Sequence, residues 1–464
     1  MPTYRSDVVG SLLRPAYLVA ARRDVEGGRL TPAAFKGLED RAVDEAIELQ
    51  ETAGLAVVTD GEMRRYAFFG HLIEALDGFD KLGGWAIPFR DEQGAELVFK
   101  RPVVVERLRW RRSMCAEEWV YLRGHARRPG KTTLISAQQA AAYYDPDKSR
   151  AAYPTRDAYL ADVVDFTRRE VAELVRLGCT YVQIDAPQYA ALLDPSIREG
   201  YRQRGSDPER LIDTCIEMDN AVIGDYPGVT FGLHICRGNN QSMFYASGGY
   251  EPIAERVFRR TRFQRFLLEY DDERSGSFEP LRAVPDDRIV VLGLVTTKKA
   301  RLETVEELGE RIEAAAKIVP RERLALSPQC GFASTLEGNR ITPEASRRSS
   351  RSSPPPRAPC GAARSSEARH RRAGITSWVR MRRVRCIRSI GRSPPGFNSA
   401  TIPVKPSSSR NRARRSIRPA AVPNATRVCK ISSYARCSSF STRARRRSPG
   451  PVSARPIPDR ASSA

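Results

Sequence analysis

The stretch FGLHICRGNN, residues 231–240, places His234 and Cys236 two apart in a chain that has four histidines in all. On an extended segment residues i and i+2 point to one face, so the imidazole and the thiolate could hold one ion. Two further residues fit the same chemistry. Glu269 lies in FLLEYDDERSG, where the preceding apolar residues give a carboxylate no purpose unless something positive faces it. Cys330 lies in SPQCGF, and the following Gly331 lets the backbone turn sharply. One imidazole, two thiolates and one carboxylate suit tetrahedral zinc. Each residue alone has a plainer reading, since a buried cysteine commonly packs as a small hydrophobe. The set means more only if the fold gathers it at one place.

The pattern of elements predicts that gathering. Eight short apolar runs recur: DVVGS (7–11), AVVTDGE (56–62), TTLISA (132–137), YVQIDAP (181–187), VTFGLHIC (229–236), RFLLEYD (265–271), RIVVLGLV (288–295) and LALSPQC (324–330). Between them lie helix-period stretches at 32–53, 155–178, 208–223 and 303–317. Strands that are nearly continuous apolar runs, alternating with helices, imply a parallel sheet covered on both faces. Eight such units predict an α/β fold, a (β/α)8 TIM barrel over residues 1–344, with an insertion after strand two at about 63–131. Within the insertion, AELVFKRPVVVERLRW (95–110) reads as a hairpin whose halves split at Pro102. Reactive groups in such barrels sit at the C-terminal strand ends. His234 and Cys236 end the fifth run, Glu269 the sixth and Cys330 the eighth.

These residues, together with VVGSLLRP at the start, TDGE after the second run and QIDAP after the fourth, resemble the catalytic barrel of cobalamin-independent methionine synthase and its short single-barrel relatives. The resemblance runs in order over about 1–344. It implies that His234, Cys236, Glu269 and Cys330 bind zinc, and that a substrate thiol joins the metal as a thiolate. It further implies that Glu62 and Asp185 hold the substrate's amino group and that the Gly10-Ser11 turn holds its carboxylate. After the seventh run the pattern departs from the family's Asp-x-His, because Thr296 and Lys298 stand at those places. Lys298 is the candidate proton donor, although a reference pKa of about 10.4 suits it equally to holding an anion. The resemblance makes methyl transfer to homocysteine the expected activity, with a donor such as methyl-tetrahydrofolate. An alternative is the opening of an epoxide by coenzyme M, whose sulfonate would need Lys298, Arg14, Arg64 or Arg237.

Charge is distributed unevenly. Residues 345–464 hold 29 of the 77 Lys and Arg and two of the 55 Asp and Glu, so that segment carries +27 and residues 1–344 carry −5. The tail is rich in Arg, Ser and Pro without helical or strand period, a composition expected to stay disordered. Non-specific nucleic-acid binding through it is the non-enzymatic alternative, although the aromatic interleaving of RNA-binding arms is missing. No signal-peptide pattern and no run of 18 apolar residues occurs, and the five scattered cysteines of 1–344 form no disulfide framework. The body is therefore expected to be cytoplasmic, with no membrane partner. GKTT (130–133) lacks the upstream glycine of a phosphate loop and runs into a strand. RGNN (237–240) and ERSGSFEP (273–280) are expected as loops lining the mouth, and His71 and His125 as surface or insertion residues.

Thr342-Pro343-Glu344 is a good helix start that no helical pattern follows. Arg outnumbers Lys 27 to 2 in the tail, as expected for GC-rich DNA translated out of frame. Shifting the reading frame by one base near codon 345 is expected to restore an amphipathic helix. Nucleotide sequencing checks this, and two shifted frames without a helical pattern would refute it.

Overall fold

The computed structural model describes residues 4–203 and 205–341. The Thr342-Pro343-Glu344 helix start, which no helical pattern follows, and the 345–464 tail lie outside the described residues. Four strands fall in the insertion: β1 (Leu76–Asp80), β2 (Ala86–Arg90), β3 (Glu96–Lys100) and β4 (Val103–Trp110). Six follow: β5 (Thr132–Ile135), β6 (Tyr181–Asp185), β7 (Thr230–Ile235), β8 (Arg265–Glu269), β9 (Ile289–Val295) and β10 (Leu324–Pro328).

Strands β5 to β10 form one parallel sheet in chain order, and nearly every residue in them is buried. That is what continuous Val, Ile and Leu runs require when both faces are covered. The two-residue period sorts the side chains. Along β8, Arg265, Leu267 and Glu269 alternate with Phe266 and Leu268, so one set fills the barrel and the other packs under the helices. The surrounding helices start where capping chemistry places them. Thr31 caps Pro32–Thr52, Thr155 caps Arg156–Arg176, and Asp207 caps Pro208–Val222, each accepting a backbone N–H of the first turn. Thr304 and Glu307 form a reciprocal capping box on Val305–Ala316.

The first two apolar runs close the barrel with fewer backbone bonds than expected. Residues 7–11 and 56–62 form no full strands; each makes a single parallel bridge, Ser6 to Leu326 and Val58 to Gly130. Asp7 N–H donates to Leu326 O at 2.9 Å and Val58 N–H to Pro129 O at 3.0 Å. Between the two segments one backbone bond, Leu12 N–H to Gly61 O at 2.9 Å, is supplemented by side chains: Thr59 Oγ1 donates to Gly10 O at 2.9 Å, and Ala56 N–H to Ser6 Oγ at 3.0 Å. The base of the barrel is sealed by charge. Asp7 accepts from Lys131 at 2.7 Å, from Tyr181 at 2.8 Å and from Arg265 at 3.0 Å, all in complete burial. Burial alone would raise Asp7, but the two cations and their hydrogen bonds outweigh it and hold the carboxyl below its usual range.

The insertion corrects one expectation. The halves of 95–110 are strands but do not pair with each other: β3 pairs with β2, and β4 pairs with β1, both antiparallel. Residues 76–110 are one long hairpin that turns at 91–95, where Asp91 Oδ1 accepts from Gln93 and Ala95 N–H and Gly94 takes φ +82°. Pro102 lies along the returning arm instead of at a turn; Arg101 N–H to Trp85 O, at 3.1 Å, continues the β2–β3 pairing toward it. His71, expected at the surface or in the insertion, is an insertion residue but is buried, its Nε2 accepting from Ile135 N–H at 3.1 Å. No described helix is long and apolar enough to cross a membrane.

Gly293 sits opposite Glu269 on one side and Ser327 on the other. A Cβ there would lie 2.7 Å from Leu268 O and 2.9 Å from Gln329 Cα, backbone atoms that cannot rotate away. Gly293→Ala is expected to destabilise the barrel by about 1–3 kcal/mol, measured by urea unfolding; an unchanged midpoint would show that the strands can slide apart without loss.

Candidate metal centre and substrate cavity

His234 is the penultimate residue of β7, and Cys236 follows the strand directly, two residues on. Cys330 lies two residues past β10. Their ligand atoms all lie within 4.8 Å of one another, and all three residues are buried. The two sulfurs are 3.8 Å apart, within hydrogen-bonding reach. Cys330 is held well below the usual thiol value, first by Cys236 and then by His234 and Lys298, while Cys236 is pushed well up by the same pairing and by burial. His234 Nδ1 faces Leu267 O at 3.2 Å, which fixes the ring, and the imidazole also interacts with Cys330. A tethered imidazole beside two neighbouring sulfurs is a donor set fitted to a soft or borderline cation such as zinc.

Glu269 lies outside that three-residue group. Its Oε2 accepts Arg237 N–H at 2.6 Å, and its Oε1 faces Lys298 Nζ at 3.3 Å and Arg274 at 3.6 Å. Burial would raise its carboxyl, but Lys298, Arg237 and Arg274 hold it below its usual value. Lys298 is shifted upward: burial lowers it, and the charges of Glu269 and Asp271 more than reverse that. It stands as a cation paired to Glu269.

Ser11, Glu62 and Asp185 line the same cavity as His234, Cys236 and Cys330, whereas Gly10, Glu269 and Lys298 are not among its lining residues; Glu269 and Lys298 are buried next to Cys236 and Arg237. Glu62 adopts φ +53°, a left-handed conformation a glutamate takes only under constraint. Asp60 Oδ1 holds its N–H at 2.9 Å, and Thr133 Oγ1 donates to its Oε1 at 2.9 Å; its Oε2 is buried and unpartnered. Gly10 makes room for it, since a Cβ there would come within 2.3 Å of Glu62 Oε1. Gly331 does the same for Ser11, whose Oγ a Cβ would meet at 2.0 Å. Asp185 accepts from Gln183 Nε2 at 2.7 Å, and burial, countered by His234 and reinforced by Glu62, pushes it up to about 7.

The far side of the cavity was not legible as a site from strand ends. The insertion hairpin supplies Ile87, Phe89, Phe99 and Arg101. It is pinned over the mouth by reciprocal backbone bonds between Arg90 and Phe244, 2.8 and 2.9 Å. Alternation along AIPFR and ELVFK, read as two facing strands, is the signal that places Ile87 and Phe99 on one face. From RGNN, expected as a mouth loop, Gly238, Asn239 and Asn240 reach the cavity, and Asn239 Nδ2 ties the loop to Gly331 O at 2.7 Å.

With this geometry in place, residues 4–344 match the catalytic domain of the cobalamin-independent synthases. The chain belongs to that family. Among curated relatives, the uncharacterised Bacillus subtilis protein YxjH is 34% identical over 347 residues, covering 74% of this chain and 90% of that one. The methionine synthase of Pyrococcus abyssi is 24% identical over 332 residues, covering 72% and 87%. The fold matches the solved B12-independent methionine synthase of Shewanella with a TM-score of 0.57 at 18% identity, covering 83% of this chain and 98% of that one, a likeness of fold.

Asp60, beneath Glu62, supplies a pH test. Burial and the nearby Glu118 push it up to about 7, and its Oδ2 has no partner. The folded carboxyl therefore binds its proton more tightly than the unfolded one, so its contribution to stability is complete below about pH 4 and is lost as the pH rises through about 7. Urea unfolding at roughly pH 5 and 8 is expected to show wild type losing stability relative to Asp60→Asn as the pH rises. Parallel behaviour of the two proteins would exclude Asp60 as the titrating group.

Proposed function

We propose that the chain is a zinc-dependent S-methyltransferase that passes a methyl group from a donor such as methyl-tetrahydrofolate to the thiol of homocysteine. The observation that carries this is the sharing of one cavity by a His234, Cys236 and Cys330 donor group and by two acids, Glu62 and Asp185. A ligand bearing a thiol at one end and an ammonium at the other spans both. Zinc bound by the three donors supplies a Lewis acid that favours a substrate thiolate at neutral pH while leaving a sulfur lone pair free.

The chain's own residues do the rest. Glu62, with its unpartnered oxygen, and Asp185 accept N–H bonds from the ammonium. Gly10 and Ser11 shape the end that takes the substrate carboxylate. Glu269 serves as the fourth donor if it exchanges its contact with Lys298, which otherwise remains the compensating charge behind the wall. The aromatic hairpin excludes water from the transfer. A sulfur–carbon bond forms as the donor's bond to the methyl breaks, and the thiol proton balances the charge left on the donor.

Of the cations expected to hold the sulfonate of coenzyme M, Lys298 is paired with Glu269 and the three arginines are committed elsewhere. Arg14 is committed to four backbone carbonyls, Arg237 to Gly248 O and to Tyr250, and Arg64 to Asp40. Nucleic-acid binding through 345–464 lies outside the described residues.

Purified chain is expected to carry about one zinc, lost in Cys236→Ser and Cys330→Ser. Zinc-loaded protein should methylate homocysteine and ignore coenzyme M, and Glu62→Gln should raise KM for homocysteine about tenfold or more. Metal analysis and product chromatography decide: wild-type protein without zinc, or a preference for coenzyme M, overturns the assignment.

A further inference from the structure

The transfer chemistry above uses one side of the cavity. The opposite side holds a cation with no counter-charge. Arg101, just past β3, lines the cavity and makes no ion pair among the described residues. Its Nε is enclosed and without a hydrogen-bond partner. The ionisable groups that act on it are tyrosines, Tyr245, Tyr143 and Tyr201, and no carboxylate. Tyr245 lines the same cavity as the sulfur donors and Arg101.

The remaining cations near the mouth are satisfied. Arg65 is paired with Glu118 at 2.6 Å, Lys298 with Glu269, and Arg14 and Arg237 with backbone carbonyls. Among the described lining residues, Arg101 is the one charged donor. Partly burying a guanidinium without an acid costs solvation that something must return. Its planar fork matches a carboxylate bidentately. Next to it stands an aromatic wall: Phe69 meets Phe99 edge-on at 5.7 Å and Tyr143 at 6.3 Å. Such a wall takes a flat conjugated ring by stacking.

We propose that Arg101 is a specificity-determining residue that binds a carboxylate of the methyl donor, whose flat ring lies against Phe69, Phe99 and Tyr143 between Arg101 and the sulfur donors. That the occupant is the donor rests on the methyl-transfer assignment; the recognition of an aromatic carboxylate does not. Glu62 and Asp185 are acceptors and give a carboxylate no donor, whereas Arg101 on the hairpin gives it one. Two substrates are thereby kept in opposite halves of one cavity.

The test is direct binding to the full, zinc-loaded chain. N-benzoylglycine, a ring carrying one carboxylate, and its neutral amide are titrated by ligand-observed NMR against wild type, Arg101→Gln and Arg101→Lys. Wild type is expected to prefer the carboxylate by about 10-fold to 100-fold, Arg101→Gln to lose that preference while still binding the amide, and Arg101→Lys to keep part of it. No binding to wild type, equal affinity for acid and amide, or an Arg101→Gln variant that binds the acid as tightly as wild type would each overturn the proposal. Cobalt-substituted protein supplies the second arm through its thiolate-to-metal absorption band. The homocysteine midpoint is expected to be the same in wild type and Arg101→Gln; a parallel weakening would assign Arg101 to the thiol substrate and overturn the proposal. Absence of any change in the band when homocysteine is added to wild type would sink the methyl-transfer assignment instead, while the benzoylglycine titration still decides Arg101.

Discussion

Closure of this barrel depends on the buried Asp7 carboxylate. The segment that contains it makes one backbone bridge to Leu326 and is joined to its other neighbour by one backbone bond and by side chains, so the ladder that closes a regular barrel is thin there. Asp7 compensates by drawing in Lys131, Tyr181 and Arg265 from three other places in the wall. A buried ion pair gains little over an apolar core in net stability, but removing one partner leaves a charge stranded in low dielectric. The network therefore enforces register more than it adds strength. Register is what the site needs: Tyr181 and Asp185 occupy the same inward row of β6, and Arg265 and Glu269 the same row of β8. A slip at the base would displace the mouth by the same amount.

Charge also organises the upper end, by a different arrangement. Glu269, Lys298, Arg237 and Arg274 lie behind the cavity wall, while the sulfur donors, Glu62 and Asp185 face into it. Behind the wall each charge has a partner. Facing the cavity, Glu62 Oε2 has none, although it is buried, and a ligand there would complete its hydrogen bonding; behind the wall Asp271 Oδ1 and Arg274 Nη1 are unpartnered as well. The strained φ of Glu62 belongs to the same pattern, since the Asp60 and Thr133 contacts that hold it would be unnecessary for a carboxylate with only a structural role.

Strand periodicity made the parallel sheet legible, because β5 to β10 are buried on both faces and their sequences are apolar throughout. It also made His234, Cys236 and Cys330 legible as a group, because a barrel brings the C-terminal ends of its strands together whatever the helices do. The misjudged element was the hairpin of 76–110. Its partly exposed strands carry a weak alternation, β2 contains Pro88, and the break at Pro102 looked like a turn. The real turn, Asp91 to Ala95, has an Asx bond and a left-handed glycine, both local signals that Pro102 obscured. Glu269 illustrates a different limit. Its apolar flank correctly implied a facing cation, and sequence spacing could not say that the cation would be Lys298, nor that this pairing would draw the carboxylate away from the sulfur donors.

The insertion and the barrel divide the work according to what each can do physically. Donor atoms that must converge within a few ångströms come from strand ends, whose positions are set by a shared hydrogen-bonded sheet. Residues that enclose a substrate need apolar area and can tolerate some movement, and the hairpin provides these from a two-stranded element that would be marginal alone. Its tie to Phe244 matters for that reason. The two backbone bonds join the hairpin to the loop that follows His234 and Cys236, so enclosure of the cavity and placement of the donors are coupled through one short segment, Arg237 to Phe244. Glu269 and Asn239 hold that segment against the barrel, the first through Arg237 N–H and the second through Gly331 O. A carboxylate behind the wall thus steadies both the metal donors and the lid, which gives Glu269 a structural task that is independent of any ligand it takes.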